Sequence, residues 1–140
     1  MMQIRPFQPN DEADVVALWE RVGLTRPWND PHRDIQRKLT VQPQWFLVGW
    51  LDGHLVASIM AGYDGHRGWI NYLAVAPEHQ GRGYGRELMQ RAEQHLLSAG
   101  CPKINLQIRK DNLAAIAFYE RLGFIEDAAV SFGKRLISDE

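Results

Sequence analysis

Hydrophobic and polar positions along the 140-residue chain change period several times. A short strand is expected near Gln3–Phe7. Val15, Val16, Leu18, Trp19 and Val22 then share one helical face, which Asn10 or Asp11 would cap and Gly23 would end. The turn-rich Arg26-Pro27-Trp28-Asn29-Asp30-Pro31 leads into a weaker helix over Asp34–Leu39, stopped by Pro43. Strands over Trp45–Trp50 and His54–Ala61 flank Asp52-Gly53, a strong hairpin signal. The turn Asp64-Gly65-His66-Arg67-Gly68 precedes a strand over Trp69–Val75. After Pro77 the period lengthens to 3.6, with Leu88, Met89, Ala92, Leu96 and Ala99 lining a helix from Arg82 to Ser98 that Gly100 closes. A strand over Lys103–Arg109 meets Asp111-Asn112, which cap a helix over Leu113–Leu122 with Gly123 at its stop position. One or two more strands are expected around Phe124–Ile125 and Val130–Ile137. The order predicts a mixed sheet with helices packed on it, of α+β class.

Composition confines this series to one domain, residues 1–140. The chain is 45% hydrophobic and 24% charged, with no repeat, low-complexity tract or linker. At this size folding buries roughly 68% of the unfolded surface, enough for a core without disulfide or metal staples. Sixteen basic and 17 acidic residues leave a net charge of −1, evenly spread over both halves, so nothing supplies the basic excess that a phosphate backbone demands. No nucleic-acid partner is expected. The single cysteine, Cys101, excludes an intrachain disulfide, and no apolar run approaches the roughly 20 residues that span a bilayer. Met1–Phe7 lacks the apolar run of a signal peptide. These features predict a cytoplasmic protein with no membrane partner.

Two segments carry chemistry. Val75-Ala76-Pro77-Glu78-His79-Gln80-Gly81-Arg82-Gly83-Tyr84-Gly85 runs from a strand through a glycine-rich turn into the long helix. The first N–H groups of a helix have no intrahelical partner, and its dipole is positive there, so phosphate oxygens are held by main chain alone. Arg82 and Arg86 would add charge-assisted bonds. The loop is neither a dinucleotide fingerprint, whose third glycine is here Arg86, nor a Walker loop, since Gly-Lys-Ser/Thr is absent. The plainer alternative is a turn that merely starts a helix. In the second segment, Asn112 and Tyr119 are seven apart, within about 20° of one helical face and roughly 10 Å apart along it. One extended ligand would touch both; alternatively Asn112 only caps the helix and Tyr119 only packs.

Together these segments resemble the GCN5-related N-acetyltransferase (GNAT) family. Its acetyl-CoA signature, Gln/Arg-x-x-Gly-x-Gly/Ala, matches Gln80-Gly81-Arg82-Gly83-Tyr84-Gly85. Its later motif matches Asn112 and Phe118-Tyr119-Glu120-Arg121-Leu122-Gly123-Phe124. Within the family the chain is most similar to the small bacterial YpeA-type acetyltransferases, through Arg26–Pro31, Gly62–Gly68 and Cys101-Pro102-Lys103-Ile104. The resemblance implies a mostly antiparallel sheet of six to seven strands with about four helices on both faces. It implies transfer of acetyl from acetyl-CoA, as cosubstrate, to a primary amine in a ternary complex. Leu73, Ala74 and Val75 would hold the pantetheine arm and supply an oxyanion donor, freed from ladder pairing by a bulge. Gln80, Gly81, Arg82, Gly83, Tyr84, Gly85 and Arg86 would hold the pyrophosphate, with Asn112 also at the cofactor. Tyr119 would sit near the sulfur as general acid.

A base for the amine is not evident. Some relatives carry glutamate where this chain has Gln107, which takes no proton. Asp64, His66, Glu78, His79 or a water chain remain. That gap keeps a second class open, a CoA-binding regulatory module without turnover. The five histidines are scattered without metal-ligand spacing, so no metal is expected. His32 reads as a solvated loop residue, and Cys101 lacks a setting that would activate a thiol. Trp28, among prolines, would line an acceptor pocket or simply pack, whereas Trp45, Trp50, Tyr63 and Trp69 read as core. The acceptor amine stays open, as does the choice between monomer and a homodimer paired through Val130–Ile137.

Overall fold

Asp52 and Gly53 adopt φ of 51° and 78°, the left-handed pair of a type I′ turn. That turn joins strand β2 (Phe46–Leu51) to β3 (His54–Tyr63) as the sequence predicts. With β1 (Gln3–Pro6), β4 (Gly68–Val75) and β5 (Ile104–Asn105) they form one sheet ordered β1-β2-β3-β4-β5. All pairings are antiparallel except the parallel β4–β5 contact. Four helices complete the fold: α1 (Glu12–Arg21), α2 (Pro31–Lys38), α3 (Tyr84–Ser98) and α4 (Leu113–Arg121). These elements belong to a computed structural model that describes residues 1–140.

Strand alternation places α1 and α3 on opposite faces. Ser58 of β3 meets Trp19 of α1, whereas Gly68, the register partner of Tyr63, faces Leu96 of α3. Residues 58 and 63 are an odd number apart, so their side chains point to different sides. Val15, Val16, Leu18 and Trp19 of α1 are buried on one face, and Leu88, Met89, Ala92 and Leu96 of α3 on the other. The largest buried aromatics are Trp19 and Phe46; Trp45, Trp50, Tyr63 and Trp69 are only half-buried around the core.

Several boundaries depart from expectation for local reasons. Helix α2 starts at Pro31, three residues early, because the Asp30 carboxylate caps it by accepting from the N–H groups of His32 and Arg33. Helix α3 starts at Tyr84, two residues late, since Gly81 and Gly83 hold left-handed φ of 80° and 85°. The sheet has five strands, not six or seven. Lys103–Arg109 contributes only Ile104–Asn105, and Phe124–Ile125 and Val130–Ile137 form no strand. A two-residue β5 offers too little edge to template another strand, and the polar side chains of the tail bond elsewhere. Arg135 reaches Asn29, and Asp139 reaches Arg37.

Beyond Phe46, β2 ends while β3 continues, and side chains take over the ladder. Lys38 Nζ donates to the Ala61 carbonyl at 2.5 Å. The Gln42 amide donates to the Tyr63 carbonyl at 3.0 Å and accepts from the Tyr63 N–H at 2.8 Å. Burial pushes the Lys38 ammonium down to about 8.

Asp11 was expected to cap α1, but its buried carboxylate turns back to Arg5, at 2.7 and 2.9 Å, and to the Gln8 N–H at 2.8 Å. Burial opposes its ionisation, yet the hydrogen bonds from Arg5 and Gln8, with the Arg5 charge, outweigh it and hold the pKa below the usual carboxylate value. A folded-state pKa below the unfolded one stabilises fully above about pH 4, and the contribution is lost as pH falls through the folded value. Asp11→Asn is therefore expected to lower stability by about 1–3 kcal/mol at pH 7. Urea titrations of both proteins at pH 7 and pH 3 check this, the difference shrinking at the lower pH.

Candidate active site

The register of β3 against β4 slips by one residue at the start of the span that the resemblance assigns to the pantetheine arm. Met60 pairs with Asn71 but Ser58 with Ala74, so Ile59 faces two residues, Tyr72 and Leu73. This is a β-bulge, and Tyr72 takes the left-handed φ of 52°, a conformation costing a non-glycine residue roughly 1–2 kcal/mol. Its surroundings hold it there. Trp19 stacks on the Tyr72 ring with centroids 3.8 Å apart, and the Tyr72 hydroxyl donates to Asp34 at 2.6 Å. The Ser58 hydroxyl donates to the Tyr72 carbonyl at 2.8 Å while accepting from Trp19 Nε1 at 2.8 Å. Burial and the neighbouring Asp34 carboxylate hold the Tyr72 phenol neutral, its pKa well above the usual value.

On its other side β4 pairs with β5 only at Gly68–Ile104 and Trp69–Asn105. From Ile70 onward that edge has no strand neighbour, and Leu73, Ala74 and Val75 lie on it. Gln80 returns from the glycine loop to this strand, its Nε2 donating to the Val75 carbonyl at 3.0 Å. Gly83 occupies the cap position of α3 and no side chain caps the helix there. The first N–H groups of α3 thus have no side-chain acceptor, and a Cβ at Gly81 or Gly83 would find nothing within 4 Å. These two glycines serve backbone geometry. Gly85 serves packing: a Cβ there would meet Phe118 at 3.0 and 3.3 Å and Val75 at 3.7 Å. The strand end, the loop and α4 converge on that glycine.

Arg86 is exposed and makes no ion pair or hydrogen bond, whereas Arg82 donates to His79 Nδ1 at 3.2 Å. Arginine only donates, so Nδ1 is the acceptor in this contact. The His79 ring also lies 6.4 Å from Tyr84. Asn112 spends its side-chain oxygen on the cap, accepting from the Ala115 N–H at 3.1 Å. Tyr119 packs edge-on against Phe118 and Phe124 at 5.1 and 5.6 Å, and its hydroxyl makes no hydrogen bond within the protein. Burial pushes that phenol up to about 12.

The candidate bases disperse. Asp64 ties its own turn, accepting from the N–H groups of Arg67 and His66 and from Trp69 Nε1; those bonds hold its pKa down. His66 is exposed in that turn. Glu78 pairs with Arg21 at 2.6 Å and is likewise held below the usual range. Gln107 meets the Ser131 hydroxyl of the tail. Trp28 is 43% exposed, beneath the Arg109 guanidinium at 6.0 Å. Cys101 is buried against the Lys103 carbonyl, and His32 is exposed but bonded to Glu12 at 2.6 Å. No cluster of three metal-ligating side chains occurs.

Sequence reasoning did not single out the tail contact or the bulge supports. The Asp139 carboxylate, its side chain fully shielded, accepts from Arg37 at 2.7 and 3.1 Å and from the Asp30 N–H at 2.8 Å. Arg37 holds its pKa well below the carboxylate range. For the bulge the available signal was Ser58, the one polar side chain within Leu55–Ala61. A cavity of about 510 Å³ lies between Arg37 and residues Gly133–Ile137, and another of about 420 Å³ between α1 and the β2–β3 hairpin. Neither includes Gly81–Gly85, though the second takes in Glu78 and His79 just before them. No helix is long and apolar enough to cross a membrane.

Known proteins share much of this sequence and its fold. The family model for "Acetyltransferase (GNAT) family" matches residues 13–124. An acetyltransferase of Sodalis glossinidius is 51% identical over 99% of both chains, and one of Yersinia pestis is 48% identical over 99% of both. Among solved structures, Ard1 from Thermoplasma volcanium superposes with a TM-score of 0.81 at 26% identity, over 91% of this chain and 84% of that one.

Replacing Gly85 by alanine is expected to force Phe118 away and to cost about 1–3 kcal/mol, read as a lower urea midpoint at unchanged m-value.

Proposed function

This chain belongs to the acetyltransferase (GNAT) family, and from that premise we propose that it transfers acetyl from acetyl-CoA directly to a primary amine in a ternary complex. The observation that carries the reading is the bulged, unpaired edge of β4 running into an uncapped helix start. Edge amides and carbonyls of Leu73, Ala74 and Val75 suit an amide-bearing pantetheine arm. The N–H groups from Gly81 to Arg86, with the Arg82 and Arg86 guanidinium groups, suit a pyrophosphate. Room above Gly81 and Gly83 supports that fit. An amide of the bulge or of the edge that follows it, Leu73 to Val75, donates to the oxygen that gains charge in the tetrahedral intermediate.

Tyr119 faces the leaving sulfur. Against a thiol of about 8.5, a phenol pushed up to about 12 makes full proton transfer uphill by roughly 5 kcal/mol. Its role is therefore to donate a hydrogen bond to the thiolate, and the proton leaving the amine finally neutralises the sulfur or passes to water.

The acceptor must arrive neutral without help from Asp64 or Glu78, whose carboxylates are engaged and weakly basic. At pH 7 that costs a lysine-like amine about 4.6 kcal/mol but an α-amine only about 1 kcal/mol. Peptide α-amines and small amines of low pKa are the acceptor class that fits. The single, buried thiol of Cys101 fits a cytoplasmic setting.

Calorimetry with acetyl-CoA followed by thiol release across an amine panel tests the reading. Binding is expected, with turnover highest on α-amines. No binding would overturn it, and binding without turnover on any amine would favour a CoA-binding regulatory module. Tyr119→Phe should lower kcat while leaving acetyl-CoA affinity unchanged; equal turnover removes Tyr119 from the mechanism.

A further inference from the structure

We infer that Ser58, oriented by the Trp19 indole, is a positioning residue for acetyl transfer: its hydroxyl fixes the Tyr72 carbonyl and thereby aims the bulge amides at the thioester oxygen. The inference rests on the acetyl-CoA reading above and assigns a role to two side chains that lie outside the site it describes.

Ser58 has no exposed surface and is surrounded by apolar neighbours. A buried hydroxyl persists only when its hydrogen-bonding capacity is used. Here the use is directional. Trp19 Nε1 can only donate, so it occupies a lone pair of Ser58 Oγ and leaves the single hydroxyl proton for the Tyr72 carbonyl. The recipient is the one residue of β4 in a left-handed conformation, where the ladder to β3 is interrupted. Ser58 therefore supplies, through a side chain, a bond to the bulge in place of the interrupted backbone ladder. The peptide plane that carries the Tyr72 carbonyl also carries the Leu73 N–H, so restraining one end of the plane restrains the other. A small rotation there would misdirect the first amide of Leu73–Val75. The Trp19 ring, stacked on Tyr72 at 3.8 Å, holds the same residue from its side-chain end.

Ser58→Ala removes the bond, and Trp19→Phe keeps an aromatic stack while removing the N–H that orients the hydroxyl. Both variants would first be checked for cooperative thermal unfolding and for acetyl-CoA affinity by calorimetry. The direct readout is the infrared carbonyl band of bound acetyl-CoA carrying carbon-13 in its acetyl carbonyl, which shifts to lower wavenumber when amides donate to that oxygen. Expected are a clear shift in the wild type, most of it lost in Ser58→Ala at unchanged affinity, and a partial loss in Trp19→Phe. Where an acceptor amine supports turnover, kcat should fall about tenfold or more in Ser58→Ala with the acetyl-CoA KM unchanged. The double variant should be no worse than Ser58→Ala alone, because both act through one carbonyl.

An unaltered band and kcat in folded Ser58→Ala would overturn the role and leave acetyl transfer standing. A shifted wild-type band without turnover on any amine would overturn the acetyl-transfer reading while the positioning role is still decided by the variant's band. Failure of the wild type to bind acetyl-CoA would overturn both. Should Ser58→Ala not fold, a full wild-type shift in Trp19→Phe overturns the proposal and a reduced one supports it.

Discussion

The indole of Trp19 bears more of this structure than any other group. Its ring stands in a column of aromatic faces: Phe7 stacks on Phe46 at 4.4 Å, Phe46 lies 6.2 Å from Trp19, and Trp19 lies 3.8 Å from Tyr72. The column ties the N-terminal segment, β2, α1 and β4 into one packed line, and the N–H at its centre is satisfied by Ser58. A large apolar ring with one polar atom packs well only where that atom finds a partner. That requirement fixes how α1 crosses the sheet. The bulge then follows, since a left-handed Tyr72 is tolerable only between the stacked indole, the Ser58 hydroxyl and the Asp34 carboxylate.

Charge has a different distribution of labour. Most ionic groups near the site are spent on one another: Arg21 on Glu78, and Arg37 on Asp34 and Asp139. Arg82 and Arg86 are in no ion pair, and beside them the glycine loop offers an anionic ligand its main-chain N–H groups. Donors of this kind are fixed by the fold and need no ordering of long side chains on binding, which suits a ligand whose phosphates must be held in one register while its far end reacts.

The glycine loop, the type I′ hairpin, the long α3 and the strand order through β4 were legible in the sequence because each depends on residues close in the chain. The bulge was expected only through a family resemblance, and its supports were not expected at all. Trp19, Asp34, Ser58 and Tyr72 are separated by 14 or more residues in sequence, and nothing local in Val56–Met60 says which side chain will answer a serine. The tail misled for a related reason. Val130, Phe132 and Leu136 alternate as a strand would, but period alone does not supply a partner, and contacts from Arg135 and Asp139 to distant residues decide its path. Gly85, assigned by the resemblance to the pyrophosphate loop, also packs against Phe118, a contact that no neighbouring residue announces.

Helix α2 is short and buries only Ile35, yet it meets the β3–β4 pair at both ends. Asp34 holds Tyr72 at the bulge, and four residues on, Lys38, followed by Gln42, closes the ladder at Ala61 and Tyr63. The helix works as a splint across two strands. Bending of that pair must stretch at least one of these bonds. On the outer edge of β4 past Trp69 the corresponding bond comes from Gln80, to the Val75 carbonyl. Helix α2 thus braces one side of the strand pair, and the glycine loop reaches the other through a single side chain.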